Sequence, residues 1–316
     1  MANEHEIVQH PKISYTNLFI VALEYRTPHL HRDFEFNLVL EGDLEMRVNG
    51  EKVIGQPGDL LLLNPNQPHE LLTHGDIGAT LLCMQISPKF FKDTFPVIAS
   101  TYFDVVKIDG CETSSHLKEC LKNFIELAIA YMDRRTCYQL YCVARLNENF
   151  YTLLENVPHH FLTEAEQQSL QWKVDRIARL LDFVDANYMR KINLRDFAKV
   201  EGLSLNHMSY FVKENLNQTF RDYVATVRYH QAVKLLLTED MPLIDICLEA
   251  GFSDTRYLRE VFLAKTDMRP EEYKLKCKAR KEAGLYRHSL HSSEKFYSEE
   301  EAVRILSHIK ETIGKS

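Results

Sequence analysis

Residues 194–216, LRDFAKVEGLSLNHMSYFVKENL, and residues 243–265, LIDICLEAGFSDTRYLREVFLAK, are one pattern written twice. Each has a short amphipathic run, a glycine (Gly202 or Gly251), a serine (Ser204 or Ser253) and then a longer amphipathic run. Helix, glycine-containing turn, helix is the helix-turn-helix arrangement, whose second helix reads the major groove. Ser204 suits the cap of that second helix. The two reading helices begin near Asn206 and Thr255, 49 residues apart. Residues 219–237 between them read as a helix of about 19 residues, roughly 28 Å long. A strut of that length sets two reading helices about one DNA turn, roughly 34 Å, apart on one duplex face. Upstream, 173–188 forms an amphipathic helix with Val174, Ile177, Leu180, Leu181 and Val184 inward.

Toward the N-terminus the period changes. Residues 18–26, 34–40, 43–48, 59–63 and 79–86 are short apolar or alternating runs. They are separated by Glu41-Gly42-Asp43, Asn49-Gly50, Gln56-Pro57-Gly58 and Asn64-Pro65-Asn66. Asn49-Gly50 is the strongest hairpin cue in the chain. Many short strands with Gly/Pro turns predict a sandwich or small barrel. Within it stand His29-x-His31-x-x-x-Glu35, Gly42, Pro57-Gly58 and His69. Positions i and i+2 of a strand share a face, so His29 and His31 point together, and Asn37 joins Glu35 by the same alternation. Three imidazoles and a carboxylate suit zinc, iron, manganese or nickel. Equally, polar groups converging in a small barrel make a small-molecule pocket. The run His69-Glu70-Leu71-Leu72-Thr73-His74 is not a zinc-protease site, because Thr73 stands where the second histidine is required.

Residues 114–155 return to helical spacing. Leu117, Leu121, Phe124, Ala128 and Tyr131 follow one another by 4, 3, 4 and 3, a heptad seam with two readings: helices packed on the barrel, or a dimer interface. Near the C-terminus, Ser298-Glu-Glu-Glu301 is a capping box before one more amphipathic helix.

The back half, over about 172–276, closely resembles the DNA-binding domain of the AraC family of bacterial transcription regulators. The resemblance rests on Leu194-x-x-Phe197-Ala198, Gly202-Leu203-Ser204, Phe220-x-x-Tyr223, Arg228 and Ala232-x-x-Leu235-Leu236. It continues through Ile244-x-Ile246, Ala250-Gly251-Phe252-Ser253-Asp254, Tyr257-Leu258, Val261-Phe262 and Pro270-x-x-Tyr273. The front half, over roughly 15–90, resembles the cupin barrel through its two motifs, in which His29, His31, Glu35 and His69 match the metal ligands of cupin enzymes. The expected fold is therefore α+β and multidomain: a cupin-like β-barrel plus helices, then an all-α domain with two helix-turn-helix units. The corresponding boundaries are 1–110 for the sensing barrel, 111–156 for a helical dimerisation region, 157–171 for a linker, 172–280 for the DNA-binding domain and 281–316 for a helical extension.

Carried over position by position, the resemblance implies that Asn206, Ser209, Tyr210, Thr255, Arg256 and Glu260 face bases, with Arg259 one position from where the family favours an arginine. In chemical terms Arg256 suits guanine, Asn206 adenine and Glu260 cytosine. Lys213, Arg221 and Arg228 are phosphate-contact candidates. Asp267 replaces a turn glycine and tolerates left-handed geometry better than most residues. Phe197, Phe211, Phe252 and Phe262 are read as core. His29, His31, Glu35, Asn37 and His69 are the effector-binding candidates.

Composition sets limits on these readings. The 316 residues include 45% hydrophobic and 26% charged, an ordinary globular balance. Net charge is −10 over 1–171, +3 over 172–280 and zero over 281–316. No run approaches the roughly 20 apolar residues of a membrane span, and the polar start Met1–Glu6 lacks a secretory signal, so a cytoplasmic chain is expected. The seven cysteines (83, 111, 120, 137, 142, 247 and 277) include no CxxC pair, which fits reduced thiols. The function read from all this is a ligand-responsive, sequence-specific transcription regulator and not an enzyme. Its partners are double-stranded DNA, a polar small-molecule effector with a sugar or glycoside favoured, a second copy of itself, and RNA polymerase if it activates. No cofactor is expected unless a divalent metal takes the barrel, which would make the chain a metal sensor or metalloenzyme; a thiol-based sensor ranks last.

Overall fold

Each apolar run of the first hundred residues becomes a strand, and each Gly, Asn or Pro cluster becomes the turn that reverses it. The computed structural model describes residues 8–73, 78–281, 287–289 and 291–313. Residues 1–7 and His74 lie outside them, as does the side chain of Cys277. The strands are β1 (Thr16–His29), β2 (Phe34–Glu41), β3 (Leu44–Val48), β4 (Glu51–Gly55), β5 (Leu60–Leu63), β6 (His69–Thr73), β7 (Ala79–Ile86), β8 (Thr101–Phe103) and β9 (Lys107–Ile108). Antiparallel pairing in the order β4-β3-β6-β1-β7-β2-β5-β9 curls them into a nearly closed barrel. Asn49 and Gly50, at φ 52 and 83, make the predicted tight turn between β3 and β4.

Helices α1 (Ser115–Asp133) and α2 (Tyr138–Asn156) then lie on the barrel, where Phe34 and Phe36 of β2 pack edge-on or tilted against Phe124 and Phe150. This favours the packing reading of the seam over the dimer-interface one. Leu117, Leu121, Phe124, Ala128 and Tyr131 are all 9% exposed or less, buried in this chain's own core. The heptad spacing recorded a helix that packs on a sheet and a neighbouring helix, a demand with the same period as a coiled coil.

The expected linker is also ordered. β10 (His159–Phe161) pairs with β8, and α3 (Glu164–Asn187) starts behind a capping box of Thr163 and Glu166, so the helix read from 173 begins nine residues earlier. There follow α4 (Leu194–Val200), α5 (Leu205–Leu216), α6 (Phe220–Thr238), α7 (Leu243–Glu249), α8 (Thr255–Thr266) and α9 (Pro270–Lys281). Two cores form around α6. Its first half gives Phe220, Tyr223 and Val227 to a cluster with Val174, Ile177, Leu180, Phe197 and Phe211. Its second half gives Tyr229, Ala232 and Val233 to a cluster with Ile246, Phe252 and Phe262. The strut therefore belongs to both helix-turn-helix units. Asp267 caps α8 at φ 53, the left-handed position its side chain tolerates.

Beyond α9 the chain returns to the barrel. β11 (Arg287–His288) and β12 (Ser292–Phe296) form a hairpin whose second strand pairs with β1, and α10 (Glu299–Ile313) packs on α1. The Ser298–Glu301 capping box forms as read, with Ser298 N donating to Glu301 Oε2 at 2.9 Å and Glu301 N donating to Ser298 Oγ at 3.3 Å.

Candidate functional site

A buried polar group needs a partner, and the barrel centre collects several. His29 ends β1, His31 follows it, Glu35 and Asn37 lie on β2 and His69 opens β6; all five are 6% exposed or less. The Nδ1 atoms of His29, His31 and His69 stand 2.9, 3.0 and 2.9 Å from the carbonyl oxygens of Thr27, Asp33 and Gln67. A carbonyl only accepts, so each Nδ1 carries the proton and the Nε2 atoms turn inward. The three imidazoles bring one ligand nitrogen each within 4.8 Å of one another. This is the way metal-binding histidines are oriented, the far nitrogen fixed by a backbone acceptor.

Glu35 anchors the cluster. Its Oε2 accepts from His31 Nε2 at 2.9 Å and Gln85 Nε2 at 3.0 Å, its Oε1 from Asn37 at 2.7 Å, and His69 Nε2 lies 3.6 Å from Oε1. Burial raises the carboxyl, but the adjacent His31, its hydrogen bond and the nearby His69 outweigh it and hold it well below the usual carboxylate range. Both nitrogens of His31 thus face acceptors, the arrangement of an imidazolium. Burial, then His69 and Arg26, pushes His29 well below its ordinary value and keeps it a neutral donor. His69 Nε2 is buried with no hydrogen-bond partner. Gln85, which stands opposite Glu35 in the β2–β7 ladder, escaped the sequence reading. Its signal was a single amide in the otherwise apolar end of 79–86.

The helix-turn-helix candidates are surface groups. Ser204 and Asp254 cap α5 and α8 by accepting from His207 N and Tyr257 N. Asn206, Ser209, Tyr210 and Lys213 are exposed on α5, and Arg256, Arg259 and Glu260 on α8, with Thr255 half-buried. Ser209, Arg221, Ser253 and Asp254 line one groove of about 650 Å³, so the two units open on a common side. Arg256 pairs with Glu260 and Arg259 with Glu271, each at 3.0 Å, so both arginines must leave a carboxylate to grip DNA. Arg228 lines the same groove but is already engaged within the fold. Its Nε donates to Tyr188 O at 2.8 Å and its Nη2 to Arg190 O at 2.9 Å, so it clamps the α3–α4 corner to α6.

Barrel and reader touch. Leu30 of the barrel is buried in the α3–α6 core, Asn217 Nδ2 donates to Glu51 O at 3.1 Å, and Tyr25 stacks on His230 of α6 at 3.9 Å. His69 lines a small crevice with Asn215, Leu216 and Asn217 from the end of α5, which brings the polar centre to the reader's edge.

Residues 197–276 match a helix-turn-helix domain model and residues 21–85 a cupin domain model. The chain carries an AraC-type helix-turn-helix domain behind a cupin domain. Its relatives are transcription regulators. It is 24% identical to the HTH-type transcriptional regulator YdeC of Bacillus subtilis, over 86% of this chain and 94% of YdeC. It is 21% identical to the melibiose operon regulatory protein of Escherichia coli K12, over 86% of this chain and 93% of that protein. The structure of ToxT from Vibrio cholerae aligns over 83% of this chain and 97% of ToxT at 14% identity, with a TM-score of 0.42. An AraC-type helix-turn-helix domain implies DNA binding. No helix among the described residues is long and apolar enough to cross a membrane. Burial pushes the Cys120 and Cys142 thiols up to about 12 and about 11, which removes both from thiolate chemistry near neutrality.

Proposed function

We propose that this protein is a transcription regulator whose DNA-binding domain is governed by what occupies the His29–His31–Glu35–His69 centre, without catalysis. The observation that carries the proposal is the position of His69, which belongs at once to the polar centre and to the crevice against α5. A ligand there favours one arrangement of barrel and reader only through its different affinity for the two.

A divalent metal fits the donors best, since three inward Nε2 atoms and a carboxylate are a transition-metal set and His69 Nε2 makes no hydrogen bond. Bound there, it would supply positive charge at the centre, and His31 would have to release its proton. A saccharide is the second reading. Its support is the melibiose operon relative and the amides of Asn37 and Gln85 beside Glu35. Thermal unfolding of the full chain with Zn²⁺, Mn²⁺, Ni²⁺, chelator and a sugar panel separates the two. The bound occupant at 100 times its dissociation constant adds about 2.7 kcal/mol. Selection of duplexes from a random pool, repeated with and without that occupant, then tests regulation. A metal response lost in His69→Ala supports the first reading, and a sugar response unmoved by chelator supports the second. No response to either, or no enriched sequence, overturns the proposal.

The protein is further proposed to act as a homodimer, with the exposed side of α2 replacing the buried seam of α1. Leu140, Val143 and Tyr151 stand out from α2 at helical spacing, Leu140 74% and Tyr151 66% exposed. Sedimentation of Leu140→Asp is expected to shift the chain toward monomer, and an unchanged parent-like mass would reject this face.

A further inference from the structure

The described residues beyond α9, 287–289 and 291–313, have a definite place in the fold. β1 carries β7 and then β6 along one edge, and β12 takes the opposite edge, so that Tyr25 is in register with both Leu72 and Ser293. An open strand edge is a row of unsatisfied donors and acceptors, and here the chain's own C-terminal segment covers it. Thr27 N donates to His291 O at 2.8 Å, Ser293 Oγ to the Glu24 carboxylate at 2.6 Å and the Tyr25 hydroxyl to Ser289 O at 3.1 Å.

The same segment reaches the DNA-binding unit. His291 sets Nδ1 3.3 Å from Thr27 Oγ1 on the barrel and Nε2 3.2 Å from Asp185 Oδ2 on α3. Tyr25, whose hydroxyl the segment accepts from, lays its ring on His230 of α6. Farther on, α10 buries Ala302 and Leu306 in the barrel-side core, and its first turn is tied down by Glu299, which pairs with Lys12 at 2.7 Å and with Arg134. The reader is therefore anchored to the barrel at both of its chain ends, by α2 and β10 before it and by the extension after it.

We propose that residues 287–289 and 291–313 form an intramolecular clasp that holds the DNA-binding unit against the barrel edge, so that its release frees the reading helices for DNA. The proposal rests on the regulator reading in its second half only; the clasp itself is a statement about the fold. Hydrogen exchange on the full chain is compared with a chain ending at Lys281 and with His291→Ala. Removal of the extension is expected to speed exchange at least tenfold in residues 21–27, 180–188 and 226–233, and His291→Ala to do so mainly at 180–188. Unchanged protection of 180–188 and 226–233 in the truncated chain overturns the clasp. Should that chain not fold, His291→Ala, Asp185→Asn and the double variant decide. A double variant no looser than either single supports a shared contact, and additive loosening rejects it. For DNA, the dissociation constant for a selected duplex is expected to fall at least fivefold without the clasp. Loosened exchange with unchanged affinity would reduce the extension to a brace and overturn the regulatory half. Absence of DNA binding in every form, the parent included, would reject the regulator reading while leaving the exchange result intact.

Discussion

Gly251→Ala is expected to destabilise the DNA-binding unit by about 3–5 kcal/mol, while Gly202→Ala at the equivalent turn costs about 1–2 kcal/mol. Both glycines are left-handed, at φ +81 and +67, so a side chain meets the same backbone penalty at each. Their surroundings differ. A Cβ on Gly202 meets nothing within 4 Å. A Cβ on Gly251 would lie 2.6 Å from the carbonyl oxygen of Tyr188 and 2.7 Å from Met189 Cα, which are backbone atoms with no rotamer to yield. That carbonyl already accepts from Arg228 Nε, so the added methyl also pushes on the clamp between α3 and α6. Because α6 is shared by both cores, the loss reaches both reading helices, and DNA affinity should fall together with stability. Urea unfolding of the two variants provides the comparison. Equal midpoints would mean that the corner is soft and that Gly251 serves only its turn.

The pair also shows what the sequence could and could not convey. The twin motifs, their glycines, the Ser204 cap and the strut between them were legible because each is a local requirement: period, turn geometry, a capping oxygen. The polar centre was legible for the same reason, through i, i+2 spacing and the resemblance to the cupin motifs. What could not be read depended on partners distant in the chain. Arg228 is a basic residue on a helix and reads as a phosphate contact; only the fold shows that the Tyr188 and Arg190 carbonyls already engage it. Leu117 to Tyr131 has the spacing of a seam, and only the fold decides whether a second copy or the chain's own barrel fills it. β12, serine-rich and short, carries almost no strand signal of its own. It is a strand because β1 offers an edge.

Lowering the pH is expected to weaken the contact between barrel and reader through His230, which sits in α6 beneath the Tyr25 ring at an interplanar angle of 5°. Burial, then the charges of Lys265 and His291, holds this imidazole well below its ordinary value of about 6.5, and its Nδ1 has no hydrogen-bond partner. The folded chain therefore keeps His230 neutral where the unfolded chain takes up a proton. Stability is fully present above about pH 6.5 and is lost as pH falls below it, with a slope of up to about 1.4 kcal/mol per pH unit. His230→Phe keeps a flat ring under Tyr25 and removes the proton acceptor. At pH 8 it should lie within about 1 kcal/mol of the parent, because the buried Nδ1 it loses had no partner. At pH 5 the variant should retain about 2 kcal/mol that the parent has lost. Unfolding curves from pH 8 to 5 test this. Parallel slopes for parent and variant would show that His230 accepts its proton without cost, and that the Tyr25 stack does not depend on a neutral ring. A shallower slope in the variant would make that stack an acid-sensitive joint between the sensing barrel and the strut that spaces the two reading helices.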